Sequence, residues 1–409
     1  MRSHPVLRDG HQIKLLQGGA DFFPELIRAL DAARSHIQLE TYIFDFHGDG
    51  ALVAAALERA GRRGVRVWVV VDGVGTPKLK EEWRTRFDSA GVEWRVYSPL
   101  GTLGLLIPSR WRRLHRKLCV VDGHVAFCGG INILDDLYDP QHGTLKSPRL
   151  DFAVCATGAL VQQVQEATTQ LWWRMQAVRH VRQQNFPEAF SSFRAASLHM
   201  PWIHDTRQAH GDTWVAKAGL LLRDNLLHRG QIEKAYRRAI GLARHDIVIA
   251  NAYFLPGRKL RQALVHAAQR GVRVRLLLQG RYEYFMQYHA ARPVYRQLLE
   301  AGVEIYEYAE SFLHAKVAVI DAQHDRPWAT VGSSNLDPFS LLLAREANVV
   351  VADPLFAKRL REGLEHAMST KSQRIMPQSL LERSQFQRAM DWIAFGLMRL
   401  AIWLTGNRY

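Results

Sequence analysis

Short apolar runs alternate with amphipathic segments along most of the chain. The run at 37–44 is rich in β-branched and aromatic residues and predicts a β-strand. Residues 51–62 carry apolar positions at helical spacing and are followed by a glycine, which predicts a helix and its end. The near-continuous apolar run at 65–71 is typical of a strand that is buried on both faces. Strands that alternate with helices in this way predict an α/β fold with βαβ crossovers.

The second half of the chain repeats the first. Five segments recur in the same order, each 199 to 211 residues later. Residues 37–44, 64–73, 90–97, 114–122 and 129–132 recur at 247–254, 271–280, 301–308, 313–321 and 332–335. Chance similarity between amphipathic segments could explain one such match, but hardly five in one order. The sequence therefore predicts two copies of one unit.

The repeats divide the chain into domains. We predict an N-terminal domain over residues 1–176 and a C-terminal domain over residues 213–370. The segment between them, 177–212, is irregular and rich in serine, proline and aromatic residues, so it is interpreted as a linker. Residues 371–409 are predicted to form a polar segment and then an amphipathic helix.

Each copy carries a histidine and a lysine two positions apart on a predicted strand. Residues at this spacing face the same side, so His115 projects with Lys117, and His314 projects with Lys316. Asp122 has the opposite strand parity from Lys117, and we expect it to brace a turn or a neighbouring strand. The candidate catalytic residues, with the aspartates of both copies included, are His115, Lys117, Asp122, His314, Lys316 and Asp321.

A glycine-containing turn follows each of these strands. Glycine lets backbone approach a phosphate closely, and an asparagine amide can donate to a phosphoryl oxygen. The candidate phosphate-binding residues are Gly130, Asn132, Ser333 and Asn335. A histidine that moves a proton needs an orienting partner. Asp151 and Glu346 stand at matching positions in the two copies, and we predict that each binds an active-site imidazole.

These features resemble the phospholipase D superfamily, whose signature HxKxxxxD with a downstream G-[GS]-x-N is present twice. The surrounding sequence is similar to that of bacterial cardiolipin synthases, of the type that lacks N-terminal membrane-spanning helices. The resemblance is carried by ETYIF (40–44), HRKLCVVDG (115–123), RDN (223–225), ANAYFLPG (250–257), VGSSNLDP (331–338) and EANVVV (346–351). It implies two duplicated phospholipase D-like βαβ sandwich domains that form one pseudo-twofold active site.

The resemblance also implies a reaction, the conversion of two phosphatidylglycerols into cardiolipin and glycerol through a phosphohistidine. It assigns His115 as the nucleophile and His314 as the general acid and base, which the symmetric sequence alone cannot do. Lys117 and Lys316 would supply the positive charge that many phosphoryl-transfer enzymes take from a metal. No metal or cofactor is therefore expected. Because one chain carries both motifs, a monomer is sufficient for one site.

Other activities remain open at this point. The same residues would serve phospholipase D-type hydrolysis, or phosphatidyl transfer to another alcohol or from phosphatidylethanolamine. A nuclease would suit the basic charge, but many nucleases of this superfamily are short single-motif dimers, so no nucleic-acid partner is expected. An inactive membrane-binding scaffold is disfavoured by the intact histidines and lysines of both copies.

Composition and charge indicate the kind of partner. The 409 residues include 54 Lys and Arg against 39 Asp and Glu, a net charge of +15 that favours nucleic acid, anionic lipid or phosphorylated substrates. The three cysteines lie in apolar runs and do not indicate a disulfide framework, and the first residues do not read as a signal peptide. With the resemblance, we expect a peripheral protein on the cytoplasmic side of a bacterial inner membrane, bound to anionic phospholipid.

Two apolar segments are candidates for membrane contact. The loop at 100–107 precedes a basic and aromatic stretch, which fits insertion into an anionic leaflet and equally fits an ordinary buried loop. The C-terminal segment places Arg388, Asp391 and Arg399 on one polar stripe, which fits an interfacial helix or a helix packed on the core. The candidate membrane-contact residues are Leu105, Leu106, Trp111, Trp392, Phe395 and Trp403.

Overall fold

Two copies of one strand-and-helix arrangement make up the computed structural model. The described residues are 7–76, 78–101, 108–139, 142–197, 214–224, 228, 230–281, 285–337, 344–378 and 384–404. Leu105 and Leu106, two of the predicted membrane contacts, lie outside them, as does the side chain of Trp403.

Eighteen strands are assigned in the described part of the chain. Those of the first half are β1 (Arg8–Gln17), β2 (His36–Thr41), β3 (Arg66–Asp72), β4 (Val92–Tyr97), β5 (Arg113–Leu114), β6 (Lys117–Val121), β7 (Val125–Gly129), β8 (Tyr138–Asp139), β9 (Gly143–Thr144) and β10 (Phe152–Thr157). Those of the second half are β11 (Trp214–Arg223), β12 (Asp246–Asn251), β13 (Arg273–Gln279), β14 (Glu304–Tyr308), β15 (Lys316–Ile320), β16 (Trp328–Gly332), β17 (Ala344–Ala352) and β18 (Ser372–Ile375).

The helices connect these strands and cover them. They are α1 (Gly18–Ala32), α2 (Gly48–Arg62), α3 (Glu81–Ala90), α4 (Ala159–Arg182), α5 (Phe186–Ser197), α6 (Gln231–Leu242), α7 (Arg258–Gln269), α8 (Phe285–Glu300), α9 (Pro354–Thr370) and α10 (Gln385–Leu404). A short 3₁₀ turn covers Pro108–Trp111.

The duplication predicted from the sequence is present in the topology. In the first half, β2, β3 and β4 are parallel and are joined through α2 and α3; in the second, β12, β13 and β14 are parallel and are joined through α7 and α8. Each parallel set continues into antiparallel strands that carry the histidine–lysine motifs. The two sheets join through the antiparallel pair of β1 and β11, so one sheet runs through the whole molecule.

A shared hydrophobic core fixes one half against the other. It contains side chains from both copies, among them Val120 and Phe152 from the first and Val317 and Phe356 from the second. These four side chains have no exposed surface. Burying a large apolar side chain stabilises a fold by roughly 1.5–3 kcal/mol, so many such contacts hold the halves in one orientation.

Two segments differ from the sequence-based prediction. The predicted linker at 177–212 contains the last turns of α4 and the whole of α5, so much of it is helical rather than irregular. The predicted polar segment after residue 370 contains β18, which pairs with β14 at the edge of the second half. Helix α5 packs on the preceding helix α4, and β18 is held by pairing with a strand more than sixty residues earlier, which local composition does not report.

Candidate active site

The two histidine–lysine segments lie where the halves meet. His115 and His314 each stand two residues before a strand, β6 and β15 respectively. The backbone N–H of His115 donates to the carbonyl of Arg345 at 3.0 Å, and that of His314 donates to the carbonyl of Leu150 at 2.9 Å. Each motif is therefore anchored on backbone of the other half, immediately before the carboxylate predicted to orient an imidazole.

The carboxylates contact the imidazoles in a crossed arrangement. His115 Nδ1 lies 3.0 Å from Glu346 Oε1, and His314 Nδ1 lies 2.6 Å from Asp151 Oδ2. The predicted carboxylate–imidazole contacts are thus present, and each joins the first half to the second. An Nδ1–H donated to a carboxylate leaves the Nε2 atom of the ring for chemistry. The crossing means that neither half contains a complete site.

Both motif lysines are buried beside these imidazoles. Lys117 has 5% of its surface exposed and Lys316 has none. Lys117 Nζ donates to the carbonyl of His115 at 2.7 Å, and Lys316 Nζ donates to the carbonyl of His314. Burial, followed by repulsion from Lys316, lowers the pKa of Lys117 to about 7. Two ammonium groups close enough to repel one another are typical of a binding place for an anion.

The same burial shifts the pKa values of the titratable side chains around this centre. Burial lowers the pKa of His115 below its usual value, although the Glu346 carboxylate opposes the change. Burial, then the two motif ammonium groups and His115, hold the pKa of His314 well below its usual value. Burial raises the pKa of Asp151 to about 7, despite the neighbouring Lys316. Groups shifted this strongly in one place are typical of a catalytic centre.

The predicted phosphate-binding turns line this centre unequally. Ser333 donates its hydroxyl to Glu346 Oε2 at 2.5 Å, whereas a Cβ atom at the matching Gly130 would lie 2.2 Å from Asp151 Oδ1. Asn132 accepts the Ile43 N–H through Oδ1, at 3.1 Å, which leaves its NH₂ group to donate elsewhere. Asn335, at the matching position, is also buried.

The motif aspartates perform a different task from the histidines and lysines. Asp122 accepts the backbone N–H groups of residues 34–36, and Asp321 accepts those of residues 244–246. Each therefore fixes the chain entering the first parallel strand of its half, the bracing that strand parity predicts for Asp122. Their inclusion among the candidate catalytic residues is corrected by these contacts, because both carboxylates are engaged by backbone N–H groups.

Three further residues contact the motif histidines or the residues before them and were not predicted from the sequence. Asp72 Oδ2 accepts the N–H of Leu114, and Gln279 Oε1 accepts the N–H of Leu313, so each positions the residue before a motif histidine. Tyr42 lies with its ring centroid 5.0 Å from that of His115. Asp72 and Gln279 occupy the same position of the repeated segments 64–73 and 271–280, a signal that could have identified them.

The predicted membrane-contact residues fall into two groups. Trp111 and Trp392 are exposed, at 38% and 60% of their surface. Phe395, in contrast, packs partly against the core of the second half. Asp391 does not lie on a solvent-facing stripe as predicted, because it is buried and contacts His289 of α8 at 2.6 Å. Helix α10 thus packs on α8 through one face and presents another to solvent.

The described residues contain no group of three or more histidines, cysteines, aspartates or glutamates placed to hold a metal ion. Among the same residues, no helix combines the length and the apolar character needed to cross a bilayer.

Comparison with known proteins places this arrangement in a family. The family described as "Cardiolipin synthase, PLD-like domain" matches residues 26–143 and 236–368, one stretch in each half. The chain belongs to this family. It is 34% identical to cardiolipin synthase B of Escherichia coli K12, over 98% of this chain and 92% of that protein, and 28% identical to a probable cardiolipin synthase of Bacillus subtilis, over 96% and 73%. It is accordingly an enzyme, a phosphatidyltransferase of the phospholipase D superfamily.

Solved structures support the fold of this family member. A phosphatidylserine synthase of Haemophilus influenzae superposes with a TM-score of 0.67 at 14% identity, covering 96% of this chain and 94% of that one. A polyphosphate kinase of Porphyromonas gingivalis superposes with a TM-score of 0.56 at 14% identity, covering 95% and 53%. The two-domain α/β architecture predicted from the sequence is confirmed.

Proposed function

We propose that this enzyme transfers the phosphatidyl group of one phosphatidylglycerol to a second, which yields cardiolipin and glycerol. The crossed contacts of His115 with Glu346 and of His314 with Asp151 carry the proposal. They give two oriented imidazoles beside two buried ammonium groups, which is the equipment needed to exchange one phosphodiester for another in two displacements.

In the first displacement, the Nε2 lone pair of His115 attacks the phosphorus. The bond from phosphorus to the oxygen of the head-group glycerol breaks, and that oxygen takes the Nε2 proton of His314. Glu346 keeps the Nδ1–H of His115 and stabilises the positive charge on the phosphorylated ring. Lys117 and Lys316 stabilise the charge on the phosphoryl oxygens in the transition state.

In the second displacement, a hydroxyl of the second phosphatidylglycerol attacks the same phosphorus. Its proton passes to Nε2 of His314, the P–N bond breaks, and the electron pair returns to Nε2 of His115. His314 is thereby protonated again for the next cycle. The bound anionic phosphodiester favours the protonated form of His314, which opposes the lowering of its pKa by burial and by the lysines.

The first experiment is a product analysis. Purified full-length protein is incubated with phosphatidylglycerol vesicles, with and without phosphatidylethanolamine, and the lipids and free glycerol are quantified. We expect cardiolipin and glycerol in equal amounts, and a loss of about 10³-fold or more for His115→Ala and for His314→Ala. Rapid denaturation in detergent at mildly alkaline pH, where a P–N bond survives, should trap phosphatidyl–enzyme in the wild type but not in His115→Ala. Chelator should leave the rate largely intact, because lysines supply the charge.

Other products would select the alternatives. Phosphatidic acid without cardiolipin would indicate a phospholipase D-type hydrolase, and cardiolipin formed only with phosphatidylethanolamine would change the donor. Cleavage of an oligonucleotide in a parallel reaction would indicate a nuclease, and no reaction with any substrate would indicate a scaffold. Robust synthesis by either histidine variant would contradict the shared-site mechanism, and a metal-reversible loss would contradict the lysine clamp.

We propose in addition that the protein docks peripherally on an anionic bilayer, with the active-site edge facing the lipid. Helix α10 supports this, because Ile393, Leu397 and Leu400 are each more than half exposed on its outer face, beside Trp392. A stripe of four exposed apolar side chains on a basic protein fits the interface of an anionic leaflet. The expected location is the inner face of the bacterial inner membrane.

A second apolar surface extends from the same edge. Trp172 of α4 packs in one cluster with Leu114, the residue before His115, and α4 continues for ten residues beyond it. Helix α5 follows and exposes Phe186 and Phe190 at 65% and 74%, with Phe193 at 63%. Arg179, Arg182 and Arg194 of the two helices add positive charge around this aromatic stripe. Helices α10 and α5 thus each present an exposed apolar face.

Vesicle sedimentation tests the docking proposal. The double variants Ile393→Ser with Leu397→Ser and Phe186→Ser with Phe190→Ser should each lower binding to phosphatidylglycerol vesicles at least fivefold, as should truncation after Pro377. Leu52→Ser is the matched control, because Leu52 is 56% exposed on α2. Unchanged binding of the double variants and the truncation would contradict docking through these helices.

A further inference from the structure

A cavity of about 60 Å³ lies in the second half of the described structure. It sits at the carboxyl ends of β12, β13 and β14, the edge of a parallel sheet where α/β proteins bind ligands. Its wall includes Ala252 after β12, Gln279 at the end of β13 and Glu307 in β14. Tyr295 of α8 and Met398 of α10 close it from outside.

The register of the strands identifies the first-half counterpart of Ala252. Leu39 pairs with Cys119, two residues after Lys117, and Ile249 pairs with Ala318, two residues after Lys316. Leu39 and Ile249 are therefore equivalent. Tyr42 lies three residues after Leu39 and Ala252 lies three residues after Ile249, so Tyr42 is the counterpart of Ala252. The Tyr42 ring lies against His115 and 5.5 Å from Lys117 Nζ, whereas alanine provides no ring on the His314 side.

The cavity wall is bonded to the backbone on both sides of His314. Gln279 Oε1 accepts the N–H of Leu313 at 3.1 Å, and the N–H of Ala252 donates to the carbonyl of Ala315 at 3.0 Å. The guanidinium of Arg281, at the rim, lies 4.8 Å from the ring of Phe312. Two residues of the cavity wall are therefore bonded directly to the neighbours of His314, the residue proposed to handle the proton of the alcohol.

The lining favours a neutral, hydroxylated ligand. Two carboxylates, Glu307 and Asp337, are balanced by two guanidinium groups, Arg281 and Arg292. Arg292 Nη1 lies 2.7 Å from Glu307 Oε1, so the buried charges already compensate one another. The Nε2 donor of Gln279 is buried and has no hydrogen-bond partner among the described residues. Aromatic side chains beside polar donors and acceptors suit a polyol better than an ammonium group or a second phosphate.

We propose that this cavity binds the glycerol moiety of the acceptor phospholipid, and that alanine at position 252 keeps it open. The inference rests on the proposed function and specifies its alcohol site. The bound hydroxyl attacks the phosphorus of phosphohistidine 115, its proton goes to His314 Nε2, the P–N bond breaks, and a P–O ester forms. Water occupying the same place would give phosphatidic acid, so retention of the polyol decides between transfer and hydrolysis.

The experiment measures the partition of the phosphohistidine. Full-length wild type and Ala252→Leu are supplied with phosphatidylglycerol vesicles, and the ratio of cardiolipin to phosphatidic acid is determined. This ratio is set after the phosphohistidine has formed, so a slower first displacement does not alter it. We expect Ala252→Leu to lower the ratio at least tenfold. A second arm adds labelled free glycerol and measures its incorporation into phosphatidylglycerol relative to phosphatidic acid, which should fall in parallel.

Two further variants serve as a control outside the cavity and as a smaller change in its wall. Ala263→Leu adds the same atoms to α7 outside the cavity lining and should leave both ratios unchanged. Tyr295→Phe removes only a hydroxyl from the cavity wall and should lower both ratios about threefold, which provides a test if Ala252→Leu does not fold. Unchanged ratios in the folded cavity variants, or a fall in the cardiolipin ratio alone, would overturn the inference. Absence of cardiolipin from the wild type would instead overturn the proposed function.

Discussion

The two halves share one scaffold and differ at the atoms around their histidines. In the first half, the Tyr42 ring covers one side of His115, and the Asp72–Arg113 ion pair, at 3.0 Å, fills the end of the sheet. In the second half, Gln279 stands at the position of Asp72, and it lines a cavity whose wall also contains aromatic side chains. The backbone anchors of the two motifs are nevertheless the same.

The two copies thus share the backbone anchors of their motifs but differ in the side chains around each imidazole. The anchors and the crossed carboxylates hold the two imidazoles in equivalent ways. On these features alone, either imidazole could be the nucleophile or the general acid and base. The covered imidazole is suited to hold a phosphoryl group away from water, and the imidazole beside a cavity is suited to meet an alcohol. In the mechanism proposed above, these unequal surroundings distinguish the nucleophile from the acid–base, which the symmetric motif does not.

The largest expected effect comes from removing the carboxylates that orient the imidazoles. We expect Glu346→Gln and Asp151→Asn each to lower the rate of cardiolipin formation by about 10³-fold, because an amide does not stabilise an imidazolium. A phosphatidyl ester of p-nitrophenol distinguishes them, since its leaving group needs no proton. Release of p-nitrophenol should recover in Asp151→Asn and stay low in Glu346→Gln.

The matched comparison for this pair is His314→Ala, which should behave like Asp151→Asn with the activated ester. Recovery in Glu346→Gln instead would exchange the two roles and make His314 the nucleophile. Equal loss in both variants with the activated ester would show that the imidazoles are not specialised at all.

Local sequence patterns predict much of the scaffold but little of its asymmetry. The repeated segments identify the parallel strands, and the spacing of His115 and Lys117 identifies candidate catalytic side chains, because both depend on residues close in the chain. Strands β1 and β11 were not predicted, since β1 mixes polar and apolar residues and is defined by its pairing with β10 and β11. Pairing over such distances leaves no local periodicity.

The crossing of the carboxylates illustrates the same limit. The sequence predicts that Asp151 and Glu346 bind imidazoles, but 231 residues separate His115 from Glu346, and no local signal says which partner each takes. The inward orientation of Asp391 likewise depends on His289, 102 residues away. The replacement of Tyr42 by Ala252 is visible in the repeat alignment, yet its meaning appears only when the space beside each imidazole is known.

A smaller effect is expected at the glycine and serine that occupy one repeat position. Gly130→Ala would place a Cβ atom 2.2 Å from Asp151 Oδ1, so the carboxylate must move away from His314, and we expect a loss of about 10²-fold. Ser333→Ala removes a 2.5 Å hydrogen bond to Glu346 but leaves the contact of Glu346 with His115, so about tenfold is expected.

Steady-state rates with phosphatidylglycerol vesicles check this order, and Ser334→Ala, one residue along the same turn, is the control for Ser333→Ala. If Gly130→Ala were as active as the wild type, the close approach of backbone to Asp151 would not be needed for catalysis. A loss at Ser333 greater than that at Gly130 would reverse the comparison between the two turns.

The smallest expected effect is a change in stability at Asp151. Burial raises the pKa of this carboxyl from 3.8 to about 7, so between these values the folded state binds more protons than the unfolded state. The contribution of Asp151 to folding is therefore fully present below about pH 4 and is lost as the pH rises through about 7. Asp151→Asn avoids this loss and should be more stable than the wild type above pH 7, by roughly 1–4 kcal/mol. Urea unfolding of both proteins at pH 5 and pH 8 measures the difference, which should grow with pH; a difference independent of pH would show that the buried carboxylate is compensated in the folded enzyme by its lysine neighbours.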